Sequence, residues 1–229
     1  MKILGVLGGM GPQATVRFYD LIIQTSIRKY GVKKNADFPH VLIDNIPVPD
    51  LIKSKEDEEK TVAMVEDEAR RLKNAGCTHL AMPCNTMHLY ADRFQTASGL
   101  PFISMVDAVV ERLVSDKVTK VVLLGTMTTM KSSLYTDPLQ KKGIEVIIPS
   151  DEDKEFLGTL IHAVIADDIR KEHVRSFAEL TIRLSKDADG ILLGCTELPF
   201  LAQHLKMTIP VYDSPAILAE KCCSINFAD

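Results

Sequence analysis

The amino-acid sequence predicts an α/β protein of two similar Rossmann-like lobes, each a mostly parallel sheet flanked by helices, related by a pseudo-twofold axis. Short apolar segments alternate with amphipathic segments along almost the whole chain, as expected of repeated βαβ units. The apolar segments are rich in Val, Ile and Leu, which is typical of parallel strands buried on both faces. Two parts of the chain also resemble each other, which indicates an internal duplication.

Eight candidate strands follow one another along the chain, and helical patterns separate them. Val62, Val65, Ala69 and Leu72, for example, recur at steps of three and four, which predicts an amphipathic helix. No Gly/Ser/Pro-rich linker divides the chain, so the two lobes are expected to be tightly joined. The predicted strands are Ile3–Leu7, His40–Ile46, Thr78–Met82, Pro101–Met105, Lys120–Leu124, Ile144–Ile148, Gly190–Leu193 and Ile209–Tyr212.

The internal similarity centres on Cys84 and Cys195. Each follows a predicted strand and precedes a Thr, a predicted helix and then a strand led by proline. Because of these Pro-led strands, we expect the chain to cross between lobes near Gly99 and to return near Thr208. The predicted lobes are therefore residues 1–98 with 209–229, carrying Cys84, and residues 99–208, carrying Cys195.

Composition excludes several classes of protein. The net charge is −4 with a pI near 5.9, which argues against a nucleic-acid binder built on a basic surface. The chain contains no apolar run long enough for a membrane span and no apolar segment typical of a signal peptide. Five cysteines are few and odd in number for a disulfide framework, so we expect a cytoplasmic protein.

The placement of Cys84 and Cys195 points to chemistry. In open α/β sheets, ligands bind where loops leave the carboxyl ends of the strands, and a thiol at a helix start is biased towards the thiolate. Backbone N–H groups at such starts suit a carboxylate. If the lobes face each other, one thiolate can remove a proton α to a carboxylate while the other thiol protonates the opposite face, which is racemisation. The remaining cysteines are interpreted as small buried apolar residues: Cys77, Cys222 and Cys223.

Three motifs carry a resemblance to a known family. They are Leu7-Gly-Gly-Met-Gly-Pro12, Pro83-Cys-Asn-Thr-Met-His88 and Leu193-Gly-Cys-Thr-Glu-Leu-Pro199. In this order and over nearly the whole chain, they resemble the aspartate/glutamate racemase family, and more narrowly its aspartate racemase branch. The resemblance implies a homodimeric amino-acid racemase that uses neither pyridoxal phosphate nor a metal, with Cys84 and Cys195 as its two acid/base groups.

The resemblance also implies a set of substrate contacts. By position, Asn85, Thr86 and Thr196 hold the α-carboxylate or the amino group. Thr126 and Thr129 do similar work from the loop after the fifth predicted strand, and Met10 borders the substrate. Two further residues have two interpretations each. Glu197 either orients Cys195 or is a plain helix-start carboxylate, and His88 is either a helper base or a solvated or capping histidine.

The sequence departs from the family where a side-chain carboxylate would be bound. Leu51 stands where aspartate racemases often carry an arginine after Pro-Asp. Lys53 is the nearest cation, although it also fits an ordinary exposed lysine. Arg170 lies just beyond a second position where a basic residue is missing. Because a buried carboxylate needs a partner, aspartate, glutamate and an uncharged amino acid all stay open as substrates.

Other functional classes compete with a racemase. Gly9-Met-Gly11-Pro-Gln-Ala14 fits a dinucleotide fingerprint, but no acidic residue follows at the expected spacing. A non-catalytic protein that clamps a small acid is a second alternative, which a Cys84→Ser variant would distinguish. A pyridoxal phosphate enzyme needs a Schiff-base lysine, and no lysine lies near either cysteine motif. Cys77, His79, Cys84 and His88 do not have the spacing of a metal site.

Overall fold

A computed structural model describes residues 2–49 and 55–228. The chain divides into two compact units, residues 1–105 with 215–229, and residues 106–214. Each unit contains one four-stranded sheet, and every strand pair in both sheets is parallel. The predicted fold class of parallel sheets flanked by helices is confirmed.

In the first unit, the strands lie in the order β2-β1-β3-β4. They are β1 (Ile3–Gly8), β2 (His40–Asn45), β3 (His79–Ala81) and β4 (Phe102–Ile103). The helices of this part are α1 (Pro12–Tyr30), α2 (Lys55–Asn74) and α3 (Ala91–Ser98), with 3₁₀ turns at Asn35–Asp37 and Thr86–Tyr90.

The second unit repeats the same strand order as β6-β5-β7-β8. Its strands are β5 (Lys120–Gly125), β6 (Glu145–Ile147), β7 (Gly190–Gly194) and β8 (Val211–Asp213). Helix α4 (Met105–Ser115) leads into this unit and α10 (Ser214–Phe227) leads out of it. The helices between them are α5 (Met127–Lys131), α6 (Thr136–Gln140), α7 (Asp151–Ile165), α8 (Lys171–Leu184) and α9 (Leu198–Ala202).

The units divide a few residues later than the sequence suggested. The two Pro-led strands, β4 and β8, were expected to begin the next lobe. Instead β4 pairs with β3, the strand before Cys84, and β8 pairs with β7, the strand before Cys195. Each Pro-led strand therefore completes the sheet of the unit that it was expected to leave. The chain therefore leaves each unit at the start of a helix, after Met105 and after Ser214.

Burial separates inner strands from edge strands. The residues of β7 are all buried, and those of β1 and β5 are buried except for the first residue of each. These strands have neighbours on both sides and helices on their faces, as the apolar runs predicted. In contrast, β2 and β6 contain only exposed and half-buried residues because each lies at a sheet edge.

The helix ends follow local sequence rules. Pro12 opens α1, where its missing N–H costs nothing, and Gly31 ends it in the left-handed conformation with φ 67°. Side chains of Thr126 and Ser150 cap α5 and α7 by accepting the backbone N–H of Thr129 and Asp153. Among the described helices, none is both long and apolar enough to cross a membrane.

Helix α10 packs against α1 and completes the first unit. The side chains of Ser26 and Cys223 contact each other with Oγ and Sγ 3.7 Å apart. The rings of Tyr30 and Phe227 stack with centroids 4.3 Å apart. Cys222 and Cys223 are fully buried, so α10 supplies core residues to this unit although it follows the whole of the second unit in the chain.

Candidate active site

Both predicted catalytic cysteines lie at the carboxyl edge of a sheet. Cys84 follows β3 and is half-buried, and Cys195 follows β7 directly and is buried. The strand before each cysteine, β3 or β7, is an inner strand of its sheet and pairs with the first strand of its unit, β1 or β5. The duplicated sequence segments therefore place their thiols at equivalent positions of two equivalent sheets.

The helices expected directly after the two cysteines are short. After Cys195, α9 has five residues. After Cys84, the chain forms a 3₁₀ turn from Thr86 to Tyr90, and α3 begins only at Ala91. In an α-helix, the N–H of His88 would donate to the Cys84 carbonyl. Here it donates to Asn85 instead, and the His88 ring bonds to the Cys84 carbonyl. Such short helices contribute only a weak dipole at the thiols.

His88 is buried and bonded through both ring nitrogens. Nδ1 lies 2.8 Å from the carbonyl oxygen of Cys84, and Nε2 accepts the backbone N–H of Met105 at 3.0 Å. Its side chain is thus not solvated, and it caps α4 by accepting the N–H of the first residue of that helix. The ring connects the Cys84 loop to the first residue of α4.

The glycine-rich loop after β1 packs closely against the end of β2. Gly9 has φ 95°, and a Cβ there would lie 2.2 Å from the carbonyl oxygen of Ile46. Thr15 holds the loop from α1, because its Oγ1 accepts the N–H of Gly9 at 2.9 Å and donates to the Gly11 carbonyl at 3.2 Å. Met10 is half-buried and packs against the apolar core of the unit, as Cys84 does.

In the second unit, Glu197 contacts the cysteine. The thiol of Cys195 donates to Glu197 Oε2 at 2.9 Å, and the hydroxyl of Thr196 donates to the same oxygen at 2.9 Å. All three side chains are buried. One carboxylate oxygen of Glu197 thus accepts hydrogen bonds from both neighbouring side chains and connects Cys195 to Thr196.

Thr126 and Thr129 lie beside the end of β7. The Thr126 hydroxyl accepts the N–H of Thr129 at 3.1 Å and donates to its hydroxyl at 3.0 Å. Thr129 is fully buried, over the paired glycines Gly125 and Gly194. A Cβ on Gly125 would lie 2.9 Å from the Gly194 carbonyl oxygen, so only glycine allows this close approach next to Cys195.

Of the two cations considered for a side-chain carboxylate, Lys53 lies outside the described residues, as does Leu51. Arg170 is exposed, and its guanidinium forms two bonds to the Asp168 carboxylate, at 2.9 Å from Nε and 2.6 Å from Nη2. This ion pair lowers the pKa of Asp168 and occupies Arg170 at the start of α8.

The other cysteines have the surroundings of core residues. Burial raises the pKa of the Cys77, Cys222 and Cys223 thiols, so all three are poor nucleophiles. Within residues 2–49 and 55–228, no three His, Cys, Asp or Glu side chains are grouped as a metal site would need.

Two residues that support the site were missed at the sequence level. One is Thr15, which holds the glycine loop. The other is Ser214, whose hydroxyl donates to the Leu193 carbonyl at 2.7 Å and so connects β7 to the start of α10. A serine before a proline at a helix start is a recognisable pattern, but its partner across the sheet is not visible in sequence.

Comparison with known proteins gives consistent matches. The model of the family Asp/Glu/Hydantoin racemase matches residues 7–222. Broad specificity amino-acid racemase RacX of Bacillus subtilis is 30% identical over 226 residues, covering 99% of each chain. Among solved structures, an aspartate racemase homologue of Pyrococcus horikoshii has a TM-score of 0.82 at 32% identity over 100% of both chains. Picrophilus torridus aspartate racemase has a TM-score of 0.83 at 29% identity, over 98% and 95% of the two chains.

The glycine loop generates a stability prediction. We expect Gly9→Ala to lower the free energy of unfolding by about 3 kcal/mol or more, because left-handed strain and overpacking against Ile46 act together. Gly31→Ala is the matched control, since Gly31 also has positive φ but a Cβ there meets nothing within 4 Å. It should cost only about 1–2 kcal/mol. Urea denaturation of both variants measures the difference, and equal costs would contradict the prediction.

Proposed function

The chain belongs to the Asp/Glu/Hydantoin racemase family, and we propose that it interconverts L- and D-aspartate by a two-base reaction of Cys84 and Cys195. Membership makes the protein a racemase, an isomerase of a family that works without pyridoxal phosphate. One observation carries the two-base proposal: the cysteines follow equivalent strands, β3 and β7, of two sheets with the same strand order. Stereoinversion needs a base and an acid, and the duplicated fold supplies a thiol from each half.

The proposed reaction moves one proton off and another onto the α-carbon. The thiolate of one cysteine takes the α-proton, so a C–H bond breaks and an S–H bond forms. The electron pair left on the α-carbon spreads into the carboxylate. The thiol of the other cysteine then gives its proton to the opposite face of the α-carbon and becomes the thiolate. The enantiomer leaves with the two cysteines' protonation states exchanged. The reverse reaction restores them, and so does proton exchange with water before another turnover in the same direction.

The planar intermediate carries extra charge on its carboxylate oxygens, and hydrogen-bond donors that point at those oxygens stabilise it. We assign this work to Asn85 and Thr86 beside Cys84 and to Thr196 beside Cys195. We assign a contact to Thr126 as well, with the buried Thr129 fixing its rotamer through their mutual hydrogen bonds. Met10 supplies an apolar wall at the glycine loop.

Glu197 is proposed to prepare Cys195 for both directions of the reaction. Its Oε2 accepts the Cys195 thiol hydrogen, so the carboxylate orients the sulfur and can hold its proton when Cys195 must act as a base. The second donor on the same oxygen, Thr196, fixes the carboxylate. Glu197 thus supports Cys195 rather than contacting the α-carbon.

The substrate proposal rests on the family. Relatives named aspartate racemase or aspartate racemase homologue match the chain over almost its full length, so L- and D-aspartate are the first choice. Lys53 is the proposed partner of the side-chain carboxylate, since Arg170 is held by Asp168.

A second substrate class is favoured by one specific observation. Leu51 occupies the position where the arginine of aspartate racemases often stands, and a leucine suits an apolar side chain better than a carboxylate. The relative of Bacillus subtilis, named a broad specificity amino-acid racemase, supports the same alternative. In this case the protein racemises neutral amino acids with the same two cysteines.

Proton exchange tests the function directly. In D₂O without pyridoxal phosphate, we expect L-aspartate to lose its α-proton signal by NMR while D-aspartate appears in chiral chromatography. Cys84→Ser and Cys195→Ser should each reduce racemisation by roughly 10²–10⁴-fold, the contribution of a positioned acid or base. Exchange with neutral amino acids but not aspartate would select the second substrate class. No exchange with any amino acid, or full activity in both variants, would refute the proposal.

A variant of Glu197 tests its supporting role. We expect Glu197→Gln to lower kcat by about 10–100-fold, because the amide still fits but cannot hold the Cys195 proton. Steady-state kinetics should show KM changing far less than kcat. Glu179→Gln, on the exposed face of α8, is the control and should leave both constants unchanged. An unchanged kcat in Glu197→Gln would remove Glu197 from the mechanism.

We further propose a cytoplasmic homodimer, as the family resemblance implies. Helix α1 exposes a row of apolar side chains at helical spacing, including Val16, which is 72% exposed, and Tyr19, Ile27 and Tyr30. A second copy of this chain would remove that surface from water. Sedimentation velocity should give a dimer for the wild type and a monomer for the double variant Val16→Glu, Ile27→Glu. A monomeric wild type would contradict the proposal.

A further inference from the structure

We infer that His88 is a positioning residue for Cys84, a neutral imidazole that ties the Cys84 carbonyl to the first residue of α4. This inference rests on the proposed function, in which Cys84 is one of the two bases. It assigns His88 neither contact with the substrate nor a share in proton transfer.

The partners of the ring fix its protonation state. A backbone N–H can only donate, so Nε2, which receives the N–H of Met105 at 3.0 Å, carries no proton. A carbonyl oxygen can only accept, so Nδ1, at 2.8 Å from the Cys84 oxygen, carries the ring proton. His88 is therefore the neutral Nδ1–H tautomer. If Nε2 carried a proton, its N–H would point at the N–H of Met105, and the hydrogen bond between the two groups would be lost.

Packing holds the ring in this orientation. The side chain of His88 is buried, and its edge meets the ring of Phe102 with centroids 5.4 Å apart and an interplanar angle of 70°. Phe102 in turn lies next to Phe94, which is fully buried. The imidazole is thus enclosed by its own unit, which limits rotation about χ2 and favours a single geometry for the Cys84 carbonyl.

The bond acts where the chain departs from α-helical geometry. In an α-helix the N–H of His88 would donate to the Cys84 carbonyl, whereas in the 3₁₀ turn it donates to Asn85. The His88 ring donates to the Cys84 carbonyl instead and at the same time connects the loop to α4. In the second unit, Ser214 connects β7 to α10 by its bond to the Leu193 carbonyl. In each unit, a side-chain hydrogen bond therefore connects the segment around the cysteine to the first residue of the helix by which the chain leaves the unit.

Two substitutions separate the two bonds of the ring. An asparagine amide N–H occupies the place of Nδ1, so His88→Asn retains a donor for the Cys84 carbonyl. A glutamine side chain reaches the place of Nε2, so His88→Gln retains a partner for Met105 and loses the bond to Cys84. We expect His88→Gln to lower kcat by about 10–100-fold, since a shift of about 1 Å at a reacting group costs that much. His88→Asn should recover most of this loss, and KM should change little in either variant.

The control is a second buried histidine, on the strand that precedes Cys84. His79 begins β3, and its ring nitrogens bond to Thr78 Oγ1 at 2.9 Å and to Asn226 Nδ2 at 3.2 Å. It lies at the amino end of the strand, opposite the Cys84 end. His79→Gln and His79→Asn should lower the melting temperature without changing kcat, which measures how much a merely structural histidine would contribute.

Isotope effects show which cysteine is affected. Proton transfer at Cys84 and proton transfer at Cys195 are separate barriers, and a misplaced Cys84 raises only its own. With α-deuterated substrates, the primary isotope effect in His88→Gln should therefore rise for the enantiomer that Cys84 deprotonates and fall for the other. The enantiomer that still exchanges its α-proton in Cys84→Ala identifies the one that Cys195 deprotonates. A general loss of folded protein would scale both rates and leave both isotope effects unchanged.

Each outcome decides the inference. Opposite shifts of the two isotope effects, rescue by asparagine and an unchanged shape of the pH profile support it. Equal behaviour of the His88 and His79 variants would overturn it, and loss of one limb of the pH profile would make His88 an acid/base group instead. Unfolding of His88→Asn, while His79→Asn folds, would also overturn it, because His88 would then be needed for the fold itself. Wild-type protein without racemase activity would refute the proposed function, a result that no His88 variant is needed to see.

Discussion

The fold depends on the parallel pairing of strands, because parallel strands end together at one edge of a sheet. In each unit this edge collects the loops that carry chemistry, while the helices cover both faces and keep the inner strands dry. The backbone groups of these loops are outside the hydrogen bonds between strands, and side chains bond to them instead. Thr15 holds the glycine loop, His88 the Cys84 carbonyl and Ser214 the Leu193 carbonyl. These side-chain hydrogen bonds hold the loops in place, which the proposed acid/base chemistry requires.

Duplication supplies the same strand order twice, yet the two cysteines have different surroundings. Cys84 is half-buried, and the hydrogen bond that fixes its loop goes to its backbone from a neutral ring. Cys195 is buried, and its thiol donates a hydrogen bond to the Glu197 carboxylate. A racemase at equilibrium must serve both enantiomers equally, but it need not do so with equal bases. The proposed reaction therefore uses two cysteines with different surroundings, although the two sheets that carry them have the same strand order.

Sequence patterns predicted the elements well and the connections less well. The apolar runs identified the eight strands of the described residues, most clearly the inner ones, because inner strands of parallel sheets are buried on both faces. The repeat singled out Cys84 and Cys195. Strand pairing of the Pro-led segments was not visible, since segments as short as Phe102–Ile103 carry no pattern that assigns them to a sheet. The sequence did not predict the 3₁₀ turn after Cys84. There the ring of His88, rather than a backbone N–H, donates to the Cys84 carbonyl, and this geometry depends on the burial of the ring and on its bond to Met105 in α4.

The route of the chain has a consequence for its synthesis. The second unit is one continuous segment, whereas the first is interrupted by it and closed by α10, whose buried Cys223 contacts α1. Domains generally fold as units while the chain emerges from the ribosome. All four strands of the first sheet are made before the second unit, but the face of α1 that contacts α10 stays uncovered until the second unit has been made and α10 has followed it. The unit that is begun first is therefore completed last.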